Sequence, residues 1–137
     1  GTIVARGPNG QREIAATDFF TGYFESVLAP DEMIVEVKVP ANTGGWNYQK
    51  FNRRAQGWAI VGVAVADGGK GVALVNMGST PLRATAVEAA LAGGGSVADA
   101  AELAAEGAVP PVDNNADASY RTHLAQVLTR RALEAAS

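Results

Sequence analysis

The sequence predicts an α+β fold: a three-stranded antiparallel sheet packed with about three helices, preceded by a smaller strand-rich segment. Three observations lead there. The first half alternates apolar residues with polar or small ones at period two, between turns marked by Gly, Pro and Asn. The second half changes to the 3.6-residue period of helices, with capping residues at its starts and glycines at its stops. Finally, 47% of the 137 residues are hydrophobic, enough to bury a core, and the length suits one medium domain or two small pieces.

Taken in order, residues 2–5 open as a strand. Gly7-Pro8-Asn9-Gly10 follows, and Asn-Gly is a tight hairpin signal, so Arg12-Glu13-Ile14 pairs back. Thr17-Asp18-Phe19-Phe20 reads as a cap and a brief helical turn whose phenylalanines dock on the core. Ala29-Pro30-Asp31-Glu32 reads as a turn. In residues 34–39, Val35, Val37 and Val39 face one way and Glu36 and Lys38 the other, the pattern of a strand with one wet side. Pro40 ends it, and Ala41-Asn42-Thr43-Gly44-Gly45 has linker composition, placing a domain boundary between residues 1–41 and 42–137.

Residues 46–54, 58–66 and 72–77 then form an antiparallel meander. Gly62, Ala64 and Ala66 alternate with valines, so a helix or another backbone is expected close to that small-residue face. Thr80 reads as an N-cap with Pro81 at the first helical position, and Gly93 as the stop. Gly93-Gly94-Gly95 reads as a flexible joint. Ser96-Val97-Ala98-Asp99 fits a capping box opening an Ala-rich helix that ends near Gly107. A last helix begins near Ala118 or Ser119, with Tyr120, Leu124, Val127, Leu128 and Ala132 on one face and Arg121 and Arg130 away from it.

Composition excludes several chemistries. The chain has no cysteine, which removes disulfides, thiolate metal sites, iron–sulfur ligation and thiol nucleophiles. One histidine, His123, is too few for a histidine metal cluster and has no partner nearby in sequence for a catalytic triad; it reads as a surface or half-buried helix residue. Eleven basic against fourteen acidic residues argue against nucleic acid as the partner. No apolar run approaches a membrane span. A cytoplasmic location follows as the expectation, with a peripheral position at the inner face of the membrane also compatible. The sequence starts at Gly1, which suggests a processed or excised piece.

The candidate site is the hairpin from Tyr48 to Gly62, which gathers Lys50, Arg53 and Arg54 with Tyr48, Phe51 and Trp58. Such a segment is either a solvated edge, with Trp58 in the core and cations snorkelling outward, or a place for something planar and anionic. Lys50 could meet an anionic ring system or a carbonyl oxygen. Trp58, just past the Gln56-Gly57 turn, could lay its indole on a planar ligand.

At these residues the sequence resembles the flavoprotein (medium) subunit of the molybdenum-dependent carbon monoxide dehydrogenases, in the xanthine dehydrogenase family. Four other stretches agree: residues 18–25 (DFFTGYFE), 28–32 (LAPDE), 75–84 (VNMGSTPLRA) and 120–133 (YRTHLAQVLTRRAL). The resemblance implies that residues 1–41 are the tail of an FAD-binding domain and residues 42–137 the flavoprotein C-terminal domain. It implies FAD in the cleft between those domains, close to Lys50, with Trp58 over the ring, Ile34 touching the cofactor and Glu32 adjacent. The two Gly-rich segments that cradle the FAD pyrophosphate belong to an upstream half of such a subunit.

Partners implied are an iron–sulfur small subunit carrying [2Fe-2S] clusters and a large subunit carrying the molybdenum cofactor, in a hetero-oligomer. Electrons would pass from molybdenum through the clusters to FAD and on to an external acceptor. The other reading is a flavin-free assembly domain of such a complex. One departure is Gly57, where many relatives have Asp; a carboxylate there could orient neighbouring cations, so Arg53 and Arg54 are expected to be hairpin or inter-subunit contacts.

Overall fold

The structure is a computed structural model and describes residues 1–136. It separates into two compact units, residues 1–41 and the chain from Asn42 onward.

In the first unit, β1 (Thr2–Gly7) and β2 (Gly10–Ala15) form the expected Asn-Gly hairpin, with Gly7 opposite Gly10 and Ile3 opposite Ile14. A single 3-10 turn, Ala16–Asp18, leads to the short hairpin of β3 (Phe20–Gly22) and β4 (Glu25–Ser26), and β5 (Met33–Lys38) returns along β1. The three-stranded sheet runs β2-β1-β5. Its small core is Ile3, Ala5, Ile14 and Phe19, with Val27 and Leu28 packed against it. Only one of the two phenylalanines docks there; Phe20 is exposed on β3. The one-wet-side reading of residues 34–39 is also corrected: every residue of β5 is exposed. Period two fixes which side chains share a face, but not whether anything covers that face.

The second unit holds β6 (Asn47–Phe51), β7 (Val61–Ala66), β8 (Gly71–Val75) and β9 (Leu82–Arg83), all antiparallel in the order β6-β7-β8-β9. The first three are the predicted meander, each shorter than expected; β9 adds a two-residue fourth strand. Helices α1 (Thr85–Ala92), α2 (Val97–Glu102) and α3 (Ala118–Ala136) follow. Val61, Val63, Val65, Val72 and Leu74 on the sheet share one buried cluster with Val87, Ala100, Leu124, Leu128 and Ala132 of the helices.

The helices therefore cover the valine face rather than the small-residue face. On the other side, Tyr48 lies across Gly62, its hydroxyl 3.0 Å from where a Cβ would stand. The close approach that the small residues predicted is made there by a tyrosine side chain from the neighbouring strand.

Two helix boundaries match their signals and two do not, one of these being the end of α2, which stops at Glu102 rather than near Gly107. Ser96 Oγ accepts the Asp99 N–H at 3.1 Å, the capping-box bond that opens α2. The glycines after α1 are a hydrogen-bonded terminator rather than a loose joint: the N–H groups of Gly93, Gly94 and Gly95 donate to Ala89, Leu91 and Ala90. Thr80-Pro81 does not start α1. Leu82 pairs with Leu74 and Arg83 with Ala73 as β9, Ala84 N–H donates to the Val72 carbonyl at 2.8 Å, and the helix begins at Thr85. No described helix is long and apolar enough to cross a membrane.

Candidate functional site

Residues 52–60 connect β6 to β7 as a loop, so Arg53, Arg54 and Trp58 lie beyond the strands and escape their alternation. The loop closes on itself. Gly57 N–H donates to the Arg54 carbonyl at 2.8 Å and Ile60 N–H to the Phe51 carbonyl at 2.7 Å. Asn52 Nδ2 also donates to the Arg54 carbonyl. Trp58 is 86% exposed on this loop, so it is not the core indole of the solvated-edge reading. Lys50 is exposed on β6, opposite Gly62, with Tyr48 on the same strand face. Phe51 points to the other side, edge-on to Tyr120 of α3 at 6.4 Å between ring centres.

Sequence reasoning missed the groups beneath the loop. Arg121 was placed away from the helix stripe, yet it is 0% exposed. Its Nη1 donates to the Ile60 carbonyl, and its Nη2 lies 2.9 Å from Asp113 Oδ2. Neither Nε nor Nη2 has a hydrogen-bond partner among the described residues, so the contact with Asp113 is an ion pair. The Asp113 carboxyl is lowered to about 2, first by the Asn115 N–H, then by the Ala116 N–H, the Asn115 side chain and the charge of Arg121. Asn76 sits just past β8 with φ of 61°, a left-handed conformation that short polar side chains tolerate. Its Nδ2 donates to the Ala59 carbonyl at 2.9 Å and the Ile60 carbonyl at 3.3 Å. The signal for Arg121 was in the sequence: Leu124, Ala125 and Leu128 stand three, four and seven positions after it, the spacing of a buried stripe.

A pocket of about 490 Å³ opens beside the loop, with Arg53, Arg54, Trp58, Asn76, Asp113 and Arg121 in its lining. Three guanidinium groups against one carboxylate make that wall cationic, and the volume is that of a small-molecule site. Lys50 is not part of this lining. His123 is exposed on α3, as expected. No group of three or more potential metal ligands occurs among the described residues.

The remaining two candidates lie in the first unit. Glu32 is held by Arg12 through Nε at 2.7 Å and Nη2 at 2.8 Å, and accepts the Ala29 N–H at 2.8 Å. The Arg12 hydrogen bonds, followed by the Ala29 N–H, lower its carboxyl to about 2. Its carboxylate thus already braces the turn that leads into β5. Ile34 is exposed on β5, opposite Ala5 where the register of β1 shifts.

Comparison with known proteins agrees with the resemblance. The family described as CO dehydrogenase flavoprotein C-terminal domain matches residues 46–136. The carbon monoxide dehydrogenase medium chain of Hydrogenophaga pseudoflava is 36% identical, over 98% of this chain and 51% of its own length. A solved structure of carbon monoxide dehydrogenase from that organism, lacking the Mo-pyranopterin moiety of the molybdenum cofactor, superposes with a TM-score of 0.90. It is 39% identical over 98% of this chain and 52% of the matched one. Quinoline 2-oxidoreductase from Pseudomonas putida 86 gives a TM-score of 0.88 at 28% identity, over 98% of this chain and 51% of its own. The chain spans about half the length of the relatives it matches. Those relatives are parts of oxidoreductases, and this chain belongs to the CO dehydrogenase flavoprotein C-terminal domain family.

Proposed function

We propose that this chain is part of the FAD-containing medium subunit of a molybdenum hydroxylase of the aerobic carbon monoxide dehydrogenase type. In that reading residues 1–41 end the FAD-binding domain and residues 42–137 form the C-terminal domain. An upstream half cradles the pyrophosphate. The partners are an iron–sulfur small subunit with [2Fe-2S] clusters and a large subunit with the molybdenum cofactor, in a hetero-oligomer. The observation that carries the reading is the exposed hairpin, with Lys50 on its strand and Trp58 at 86% exposure on its loop. Trp58 is the barest of the large apolar groups of its unit, ahead of Val109 at 79% and Trp46 at 70%, and a bare indole beside a cation fits a planar ring as its cover.

FAD, when bound, would supply the redox chemistry, accepting electrons and passing them on. The chain's own residues place and tune it. Lys50 offers a positive charge to the carbonyl edge of the ring, which raises its potential. Trp58 would shield the ring, excluding water and limiting oxygen. Ile34 offers an apolar contact. Glu32 acts at one remove, by fixing Arg12 and the turn that leads into β5. Substrate choice lies in the molybdenum subunit, since the same fold occurs in an enzyme acting on quinoline.

The test is the visible spectrum of the purified complex under carbon monoxide. Flavin bands that bleach support the reading; a stoichiometric complex without flavin overturns it and leaves an assembly domain. Within a flavin-bearing complex, Lys50→Met should lower the flavin midpoint potential by on the order of 20–40 mV, the loss of one partly screened charge. Trp58→Ala should speed reoxidation of the reduced complex by oxygen in stopped flow.

A further inference from the structure

We infer that Asn76 and Arg121 are positioning residues that fix where the Trp58 indole stands; the consequence for flavin rests on the reading above, the anchoring itself does not. The residues before Trp58, Arg53 to Gly57, are held to the rest of the unit by little: a 3.4 Å contact from Arg53 to Asn115 and the loop's own turn. The residues after it are clamped. The Ala59 and Ile60 carbonyls receive three donor contacts from two elements far apart in sequence, the residue after β8 and the first turns of α3. Trp58 is thus the last free residue before a fixed foot, and one flexible backbone unit away from it.

Both anchors are built for the task. Asn76 has the left-handed backbone that turns its amide back toward the loop. Arg121 carries a full charge into a buried position, and Asp113 at 2.9 Å compensates it. A buried guanidinium is an expensive way to satisfy one carbonyl, and a neutral donor would serve packing as well. Its planar fork, reaching Ile60 with one arm and Asp113 with another, ties the loop to α3 and to the segment before it at one point. The pocket beside Trp58 is walled by the same groups, so the anchors also set the width of the opening that the indole overlooks.

The experiment is amide hydrogen exchange on the whole chain, read at Gly57 and Ile60, whose N–H groups close the loop, and at the β7–β8 ladder as an internal reference. Asn76→Gly keeps the positive-φ backbone and removes the donating amide, with a more flexible main chain at that one position. Arg121→Lys keeps the charge on a shorter side chain that lacks the planar fork reaching Ile60 and Asp113 from two separate nitrogens. Each should speed exchange at Gly57 and Ile60 by at least about fivefold, the factor expected for one lost hydrogen bond, with β7–β8 unchanged. Unchanged loop exchange in folded Asn76→Gly and Arg121→Lys proteins overturns the inference, and so does acceleration spread equally over β7 and β8. In the flavin-bearing complex both variants should move the oxygen reoxidation rate in the direction that Trp58→Ala does. Should Trp58→Ala leave that rate unchanged, the flavin role of Trp58 fails while the exchange data still decide the anchoring. Should Trp58→Ala change it and the two anchor variants not, the positioning role fails by itself.

Discussion

At the scale of single residues, charge placement is governed by what each ion meets, not by residue type. Arg121 and Arg53 are the same side chain. One is sealed under the loop because a carbonyl and a carboxylate await it, and the other stays in solvent. Glu32 illustrates the same rule for an acid, and it carries a pH prediction. Its carboxyl falls from 4.5 to about 2 in the folded chain, chiefly through Arg12. A depressed folded value means that the unfolded chain binds the proton more tightly. The stabilisation is present above about pH 4.5 and is lost as pH falls toward 2. Glu32→Gln should lower the melting temperature of the first unit at neutral pH, and the gap to the parent should close through that window. Thermal melts by circular dichroism at pH 7, 4 and 2.5 check this; a gap that stays constant with pH would show that Arg12 braces the turn without coupling to the proton.

At the scale of elements, pairing overrode local signals where the two competed. Thr80-Pro81 is a good helix opening, yet Leu82 and Arg83 are captured by the free edge of β8. Glu88 then receives both Arg83 Nε and the Val72 N–H at 2.8 Å, which fixes the first turn of α1 against the sheet. The turn between β7 and β8 is similarly committed. Gly69 has φ of 98°, and a Cβ there would come within 2.9 Å of Leu91 and 3.0 Å of Leu133. Gly94 has φ of 82° but open space around it. Gly69→Ala and Gly94→Ala share the backbone strain of at least about 1 kcal/mol, and only the first adds a clash with the core. Urea unfolding should therefore rank Gly69→Ala as the more destabilising, by a further ~1 kcal/mol, since the atoms met are the ends of leucine side chains that can turn aside. Equal costs would mean that Leu91 and Leu133 repack freely.

At the scale of the whole molecule, the first unit has a core of a few side chains and the second a cluster drawn from sheet and helices together. The exposed aromatic groups and the fully exposed β5 are the surfaces of a chain that spans about half the length of its relatives. The isolated 137-residue chain is accordingly expected to take up no measurable FAD in a calorimetric titration, because the residues proposed to face the ring offer too few contacts by themselves. A dissociation constant near about 1 μM, worth ~8 kcal/mol, would instead place most of the binding energy on this chain.

The antiparallel meander, the Asn9-Gly10 hairpin, the Ser96 cap and the long last helix are legible in the sequence, because each follows from a local period or a turn residue read over a few positions. The sequence also carried the family, through the Tyr48–Gly62 hairpin and the stretches that agree with it. It takes the packed chain to show which sheet face the helices cover, that β5 is exposed along its whole length, and that Arg121 and Asn76 reach the same carbonyl from positions 45 residues apart. Alternation and helical period name the members of a face; what lies across from that face is settled by contacts between segments distant in sequence, and no local pattern encodes those.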